Sequence, residues 1–241
     1  MKLTDVLKEE YETINEISKS GEIKQSSSKN AVNKISSMYK FLLKENPRPQ
    51  YGIGLVNARI NFLRIKYSIE DITAFSQTLE TYNYEESFQE ITGYFLTKLI
   101  MKHYKNEPTK REYFLVLDNV DCSINRIGLS LDGPAIVILG SVGKDVGRLM
   151  KTGSIRITGN AGETAGYEMK GGSIIIEGNT GKYTGTSMSG GKIEIKKNAD
   201  DSLGTHMYGG EIHVDGTIKS IGMPFYGGKI YNREKILLEK Y

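Results

Sequence analysis

The chain has 241 residues, of which 25% are charged, and a formal net charge of +3. This length allows one large domain or two modest domains with a sizeable core. The even charge balance argues against a nucleic-acid-binding tail. The longest apolar run near a predicted helix, Tyr94 to Met101, is too short to span a bilayer and contains Lys98. We therefore expect neither a nucleic-acid partner nor a membrane partner.

Location and cofactor chemistry are predicted from the N-terminus and from cysteine usage. The N-terminus is acidic from its fifth residue and lacks an apolar signal core, which predicts a cytoplasmic protein. Cys122 is the only cysteine, so one chain cannot build a disulfide framework, an iron–sulfur site or a cysteine-rich zinc site. The sequence carries no flavin-site, amidotransferase or metal motif. We predict no cofactor, no metal and no catalytic residue.

Glycine divides the chain into two parts. Only four of the 27 glycines precede residue 121, namely Gly21, Gly52, Gly54 and Gly93. Apolar residues recur at helical spacing in this glycine-poor part, which predicts an α-helical domain over residues 1–110. A strand-like segment, Glu112 to Asn119, then marks the change to β-structure over residues 111–230.

Four or five amphipathic helices are predicted in the first part. The first apolar stripe consists of Leu3, Val6, Leu7, Tyr11, Ile14 and Ile17. After a polar linker over residues 18–30 comes a second stripe, made of Val32, Ile35, Met38, Tyr39, Leu42 and Leu43. Pro47 and Pro49 stop this second helix. Residues 51–66 are ambiguous between a third helix and irregular structure.

Two capping patterns predict where the remaining helices begin. Ser68 with Asp71 can cap a fourth helix, and Asn83 with Glu86 can cap a fifth. The helical part is expected either to cover the first coil of the structure that follows or to form a separate docking domain.

The second part repeats every 19 residues. The units begin at Asp121, Gly140, Gly159, Gly178, Lys197 and Gly216. Eight residues into the first five units stand Gly128, Gly147, Gly166, Gly185 and Gly204, and three residues further stand Leu131, Met150, Met169, Met188 and Met207. The last unit is one residue shorter, which brings Gly222 and Phe225 into the same columns. A fixed period of this kind is the signature of a solenoid.

The type of solenoid follows from the segments after each glycine pair. "SIRIT", "SIIIE", "KIEIK" and "EIHVD" alternate with period two, which indicates β-strands. Nineteen residues with several glycines leave no room for a helix as well. We therefore predict a parallel β-helix of about six coils, with right-handed crossovers. The segment 231–241 is predicted to be a C-terminal cap, either a helix or a strand over the last coil.

Each repeated column has a predicted structural role. The glycines are expected at tight corners that need positive φ or a close approach of backbones. The methionines are expected to form an apolar column inside the coils rather than a soft-metal site. The corner asparagines Asn160, Asn179 and Asn198 are expected to stack as a hydrogen-bonded ladder.

The pattern "GNAGETAGYEMKGGSIIIEGNTG" (residues 159–181) resembles the repeat of the GXGXG family. The approach segment Asn125-Arg126-Ile127-Gly128 is similar to the one that precedes the first coil in that family. The resemblance covers about residues 113–230. Two branches are relevant: the GXGXG-repeat subunit of archaeal formylmethanofuran dehydrogenase, and the C-terminal domain of the glutamate synthase large subunit. In both branches the resemblance implies that the β-helix is a non-catalytic scaffold.

This resemblance implies a scaffold or assembly subunit that docks a catalytic partner in an oxidoreductase or amidotransferase-type complex. One alternative is a detached structural domain of the glutamate synthase type. The fifth unit departs from the repeat because Lys197 and Asp200 replace glycine, and this corner is expected to be looser or solvated. An irregular corner can receive a partner, so Asp200 and Asp201 are predicted partner contacts.

Catalytic alternatives rest on few residues. His206 and His213 fall in the same coil and could share a surface as a metal or acid–base pair, although two solvated side chains is the simpler interpretation. Ser187 is the candidate nucleophile of a stand-alone esterase or hydrolase. Its surroundings, "GTSMSGG", do not form a Gly-x-Ser-x-Gly elbow.

Overall fold

The computed structural model describes residues 25–45, 49–83, 85, 87–108, 112–120 and 123–240. These residues form four α-helices followed by one eight-stranded sheet. The helices are α1 (Gln25–Glu45), α2 (Pro49–Phe62), α3 (Ile69–Gln77) and α4 (Phe88–Asn106), with a 3₁₀-helix at Leu79–Tyr82. The helix predicted from Leu3 to Ile17 lies outside the described residues.

The strands follow one another along the chain and across the sheet. They are β1 (Glu112–Val116), β2 (Ala135–Leu139), β3 (Ser154–Ile157), β4 (Ser173–Ile176), β5 (Lys192–Ile195), β6 (Tyr208–Val214), β7 (Gly227–Asn232) and β8 (Lys235–Lys240). Neighbours from β1 to β7 are parallel, and β8 is antiparallel to β7. The chain is therefore a helical region followed by a parallel β-helix, as predicted.

The helix boundaries confirm most of the sequence predictions and correct two of them. Helix α1 begins at Gln25, so the last residues of the predicted polar linker are helical. Ser68 and Asp71 form the predicted capping box: Ser68 Oγ accepts from the Asp71 N–H (3.2 Å) and Asp71 Oδ2 from the Ser68 N–H (2.8 Å). The predicted cap at Asn83 is wrong, because Asn83 ends the 3₁₀-helix and Ser87 precedes α4.

The register of the sheet reproduces the 19-residue period. Ile136, Ile155, Ile174, Ile193 and Ile212 are consecutive partners across β2 to β6, and all are buried. In the shorter last coil Ile212 pairs with Ile230. The alternate residues of β3 to β6 are only partly buried, as expected for the outer side of the sheet.

The methionine column lies inside the coils, as predicted. Met150, Met169, Met188 and Met207 are fully buried, and Leu131 occupies the same position in the first coil. Each methionine packs under the second glycine of the pair in the next coil, where a β-carbon would lie 2.6–2.8 Å from its Cε. These glycines (Gly172, Gly191, Gly210 and Gly228) also have φ between 84° and 100°. The glycine pair and the methionine are therefore one packing unit.

The second constant column of the repeat consists of glycines at the corners of the coils. Gly128, Gly147, Gly166, Gly185 and Gly204 have φ between 66° and 77°, the left-handed region that glycine enters without steric cost. Gly222 keeps the column's hydrogen bond, from its N–H to Leu203 O (2.8 Å), but its φ is not left-handed. The missing residue of the last coil changes the path of this corner, so Gly222 is not equivalent to the other five.

Left-handed residues other than glycine flank every regular corner. Two residues before the glycine stand Arg126, Asp145, Thr164, Tyr183 and Ser202, with φ of 59–64°, and two residues after it stand Ser130, Leu149, Glu168, Ser187 and His206, with φ of 54–57°. A positive φ is uncommon in residues other than glycine, asparagine and aspartate. Positive φ was predicted for glycine alone, so these two columns were missed.

The predicted asparagine ladder is confirmed. Asn160 Oδ1 accepts from the Asn179 N–H (2.8 Å), Asn179 Oδ1 from the Asn198 N–H (3.1 Å), and Asn198 Oδ1 from the Thr217 N–H (2.9 Å). In these bonds a backbone N–H donates to a side-chain oxygen, and one further bond joins the side-chain amides of Asn179 and Asn160 (3.2 Å). Each coil is thereby tied to the next at the point where its chain turns.

Helices α3 and α4 cover the first coil. The Gly128 N–H donates to Thr97 Oγ1 (2.7 Å), and the Asn125 N–H donates to Gln89 O (3.0 Å). A β-carbon at Gly93 would lie 2.0 Å from Asn125 O, so this glycine permits the close approach of α4. The apolar residues of the helices and of the coils form one continuous core. Of the two predicted arrangements, the helical part therefore takes the covering one.

The last coil ends in a β-hairpin. Strand β7 runs to Asn232, and β8 folds back along it, with Lys229 opposite Glu239 and Ile230 opposite Leu238. The closing segment is thus a strand, one of the two predicted possibilities, and it lies at the edge of the sheet.

Candidate docking surface

The predicted acidic contact is paired within the chain. Asp200 and Asp201 both bind Lys219, at 3.0 and 2.7 Å, and Lys182 lies 4.0 Å from Asp201. The Lys219 ammonium, donating to Asp201, lowers the pKa of that carboxyl group. The charge of this corner is therefore largely compensated, although Asp200 and Asp201 remain partly exposed. Their role as partner contacts stays a prediction.

The backbone of this corner is as regular as that of its neighbours. The Lys197 N–H donates to Gly178 O (3.2 Å), and the Asp200 N–H donates to Thr180 O (3.2 Å). The predicted loosening is wrong for the backbone, because the peptide groups that join the coils do not depend on the side chain at either position. The predicted solvation is correct for Lys197, whose side chain is exposed.

The outer side of the sheet carries a network of ion pairs. Glu194 binds Lys192 (2.8 Å) and Lys196 (2.9 Å), and Lys196 also lies 3.5 Å from Asp215. Hydrogen bonds from Lys192 and Lys196 lower the pKa of Glu194 to about 2. Opposite charges face each other here, so this side of the sheet offers a compensated surface rather than a charged one.

The two histidines of the repeat do not form a pair. His213 Nε2 lies 2.9 Å from Glu211 Oε2, and its ring stacks on Tyr231 with centroids 4.1 Å apart. His206 instead lies beside Tyr226, with centroids 6.0 Å apart. Among the described residues, no group of three or more His, Cys, Asp or Glu side chains could hold a metal ion.

Ser187 lacks the surroundings of a nucleophile. Its backbone is left-handed, with φ of 55°, at the corner of the fourth coil. His206 follows it in the same column one coil later, but no hydrogen bond joins the two side chains in the described part of the chain. A serine hydroxyl needs an adjacent base for activation, and this geometry does not provide one.

A groove between α2 and α4 is lined by basic, amide and apolar side chains. It has a volume of about 510 Å³ and includes Asn57, Asn61, Lys98, Lys102 and Lys105. Lys102 Nζ donates to Ile60 O (2.7 Å) and Asn61 O (3.1 Å), carbonyl groups at the end of α2. Burial lowers the pKa of Lys102 and of Lys98. Lys102 thus serves the helix end, a structural role.

A stacked pair of exposed aromatic rings lies near the end of the β-helix. Tyr208 and Tyr226 stack with centroids 4.9 Å apart and an interplanar angle of 16°, and they are 60% and 44% exposed. His206 extends the stack, and its backbone N–H donates to Pro224 O (2.7 Å), next to Met223, which is 66% exposed. We call His206, Tyr208, Met223 and Tyr226 the aromatic patch.

The aromatic patch is a departure from the repeat. The column that contains Tyr208 and Tyr226 holds Lys151, Lys170 and Ser189 in the preceding coils. The outward side chain therefore changes from polar to aromatic in the last two coils while the backbone pattern continues. This change along one variable column is the sequence signal of the patch. The predictions were based on the constant columns, which do not show this change.

Comparison of the sequence with family models and with curated proteins gives no match. Along the described residues, no helix has the length and apolar character needed to cross a bilayer.

Proposed function

We propose that this protein is a non-catalytic scaffold that docks a catalytic protein partner on the outside of its β-helix. The resemblance to the GXGXG-repeat subunit of formylmethanofuran dehydrogenase supports this proposal, as does the resemblance to the glutamate synthase C-terminal domain. Both imply the same structural role beside an oxidoreductase or amidotransferase-type partner, and they differ only in which partner it is. The partner's identity therefore decides between the two branches.

The architecture supports a scaffold because it presents surface residues on a rigid frame. Consecutive coils are joined by the strand ladder, by the asparagine ladder and by hydrogen bonds at the corners. The core is continuous from the helices to Ile230. A preorganised frame of this kind binds without a large loss of conformational entropy.

The single observation that carries the proposal is the aromatic patch. Tyrosine is enriched at the centres of protein interfaces, where its ring buries a large apolar area. Two stacked tyrosines with a neighbouring methionine leave apolar surface exposed on a solenoid that carries ion pairs elsewhere on its surface. The partner is expected to bury these rings against an apolar segment of its own.

The experiment compares three forms of the full chain. The first is the wild type, the second carries Tyr208→Ser with Tyr226→Ser, and the third carries Tyr183→Ser as a control. Tyr183 is also an exposed tyrosine, 46% accessible, but it lies in a different column. Each tagged form is purified from the native organism, the partner enriched with the wild type is identified, and its binding to all three purified forms is measured.

Loss of a hot-spot ring costs about 2 kcal/mol or more, so the double variant should bind the purified partner roughly 30-fold more weakly or worse. The Tyr183→Ser control should bind like the wild type. Equal affinity of all three forms would exclude the patch as the docking surface. Turnover of a substrate by the purified chain alone, such as ester hydrolysis lost in Ser187→Ala, would refute the scaffold itself.

A further inference from the structure

The groove between α2 and α4 lies in the helical part, which covers the end of the β-helix opposite to the aromatic patch. Its volume of about 510 Å³ is that of a site for a small molecule, since such sites enclose about 300–1,000 Å³. Its lining combines the apolar residues Ile60 and Met101 with three lysines and three asparagines. The groove can therefore contact both an apolar group and a charged group of one ligand.

The positive charge of the groove is not compensated. No Asp or Glu is among the described residues that line it, and neither Lys98 nor Lys105 has a carboxylate partner in the described part of the chain. On the β-helix, by contrast, Lys144, Lys192 and Lys219 bind carboxylates at 2.8, 2.8 and 2.7 Å. A cleft lined by charge of one sign concentrates ligands of the opposite sign. The groove therefore favours an anion.

One buried tyrosine positions two of the polar groups. The Tyr94 hydroxyl donates to Asn57 Oδ1 (2.8 Å), and Lys98 Nζ lies 5.0 Å from the centroid of the Tyr94 ring. Tyr94 is only 4% exposed, so it is a fixed support. The amide N–H groups of Asn57 remain as donors, and they have no acceptor among the described residues. Donors held in this way are preorganised for a ligand.

The carbonyl groups at the end of α2 do not oppose an anion. Lys102 Nζ donates to Ile60 O (2.7 Å) and to Asn61 O (3.1 Å). These bonds use two of the three protons of the ammonium group, and the third remains available. Burial and the nearby charge of Lys151 lower the pKa of Lys98. A bound anion relieves this repulsion between the two lysines.

A phosphate monoester fits these groups better than a carboxylate does. A phosphate group carries about −1.5 to −2 charges at neutral pH and three strong acceptor oxygens. It can therefore accept from the Lys98 ammonium group and the Asn57 amide together, and lysine commonly binds phosphate as a point charge. The organic part of the ester can contact Met101.

We propose that the groove between α2 and α4 binds a small phosphate monoester, with the phosphate group on Lys98 and Asn57 and the organic part against Met101. The charges of Lys102 and Lys105 add to the attraction. The site leaves the aromatic patch free for a protein partner. Its ligand can therefore be tested on the purified chain alone.

The test measures the binding of phenyl phosphate and of inorganic phosphate to the full chain by calorimetry. Lys98→Gln removes the charge of one predicted ligand-binding group. Asn57→Asp keeps an acceptor for the Tyr94 hydroxyl but replaces the amide donors by a carboxylate oxygen. Lys197→Gln is the matched control, because Lys197 is exposed in the fifth coil. Circular dichroism first establishes that each variant is folded.

The wild type should bind one phenyl phosphate per chain, and more tightly than inorganic phosphate, because only the ester contacts the apolar wall. Lys98→Gln should weaken the binding of both probes roughly tenfold or more, because it removes a hydrogen bond between charged groups. Asn57→Asp should weaken both at least as much, whereas Lys197→Gln should bind like the wild type.

Three results would overturn the proposal. The first is the absence of saturable binding of phenyl phosphate to the wild type. The second is equal affinity of the wild type for the two probes, which would exclude an organic ester as the ligand. The third is an affinity of Lys98→Gln or of Asn57→Asp that equals that of the Lys197→Gln control, because the groove would then not be the binding site.

Discussion

Replacement of Gly185 by alanine should destabilise the β-helix by about 3 kcal/mol. Gly185 has φ of 71°, and a β-carbon there would lie 2.4 Å from Cδ1 of the fully buried Ile212 in the next repeat unit. The left-handed conformation costs an alanine about 1–2 kcal/mol, and overpacking of a filled core adds roughly 1–3 kcal/mol. Alanine is less flexible than glycine in the unfolded chain, and this offsets about 0.4–1 kcal/mol of the destabilisation.

The matched control for this variant is Gly54→Ala. Gly54 lies within α2, where a β-carbon would meet no atom within 4 Å and φ is not positive. Alanine should stabilise the chain there by roughly 0.5–1 kcal/mol, because glycine is unfavourable inside a helix. The two glycine-to-alanine changes are therefore expected to have opposite signs.

Urea unfolding followed by circular dichroism measures both effects. The midpoint should fall for Gly185→Ala and rise for Gly54→Ala, with unchanged slopes, since a changed slope would indicate a changed unfolded or native state. A Gly185→Ala midpoint within the error of the wild type would refute this reasoning. It would mean that the corner rearranges to accept a side chain and that the glycine column is not a steric requirement.

Two further predictions concern the lumen and the outer side of the sheet. Met188→Ala should lower the free energy of unfolding by about 2–5 kcal/mol, because it leaves a cavity at a fully buried position. Met188→Leu should lower it by less than about 1.5 kcal/mol. Equal urea midpoints for the two variants would contradict the packing role. Lys192 and Lys196 lower the pKa of Glu194 from 4.5 to about 2. The stability from this carboxylate is therefore present above pH 4.5 and is lost as the pH falls towards 2. The melting temperature should fall less steeply with decreasing pH for Glu194→Gln than for the wild type. Parallel pH dependences of the two melting temperatures would exclude the effect.

The parts of the fold that repeat were predictable from the sequence. A residue inside a coil contacts the equivalent residues of the neighbouring coils. The same packing constraint therefore acts in every unit and requires the same residue type at that position. Met169 and Gly191 show how: the methionine Cε fills the space that a β-carbon at the glycine would need. The period alone therefore predicted the strand register and the buried methionines.

Other features escaped prediction because their causes are not repeated or not local. The start of α4 depends on the 3₁₀-helix before it, whose residues Leu79 and Tyr82 are buried in the core. The left-handed backbone at Thr164 and Glu168 is imposed by the stacking of corners, and no residue type marks it. Gly222 matched its column in sequence, yet the deleted residue of the last coil altered its conformation.

The aromatic patch bears on how such a protein can acquire binding partners. Inward columns are fixed by stacking, whereas an outward column can change without disturbing the coils, as the passage from Lys151 to Tyr208 shows. The last two coils depart from the repeat: Lys197 and Asp200 replace glycine, and one residue is deleted. The first coil is covered instead, because α4 packs on it through Gly93. Binding specificity is therefore expected at the end of the β-helix that no described helix covers, and this is where the aromatic patch lies.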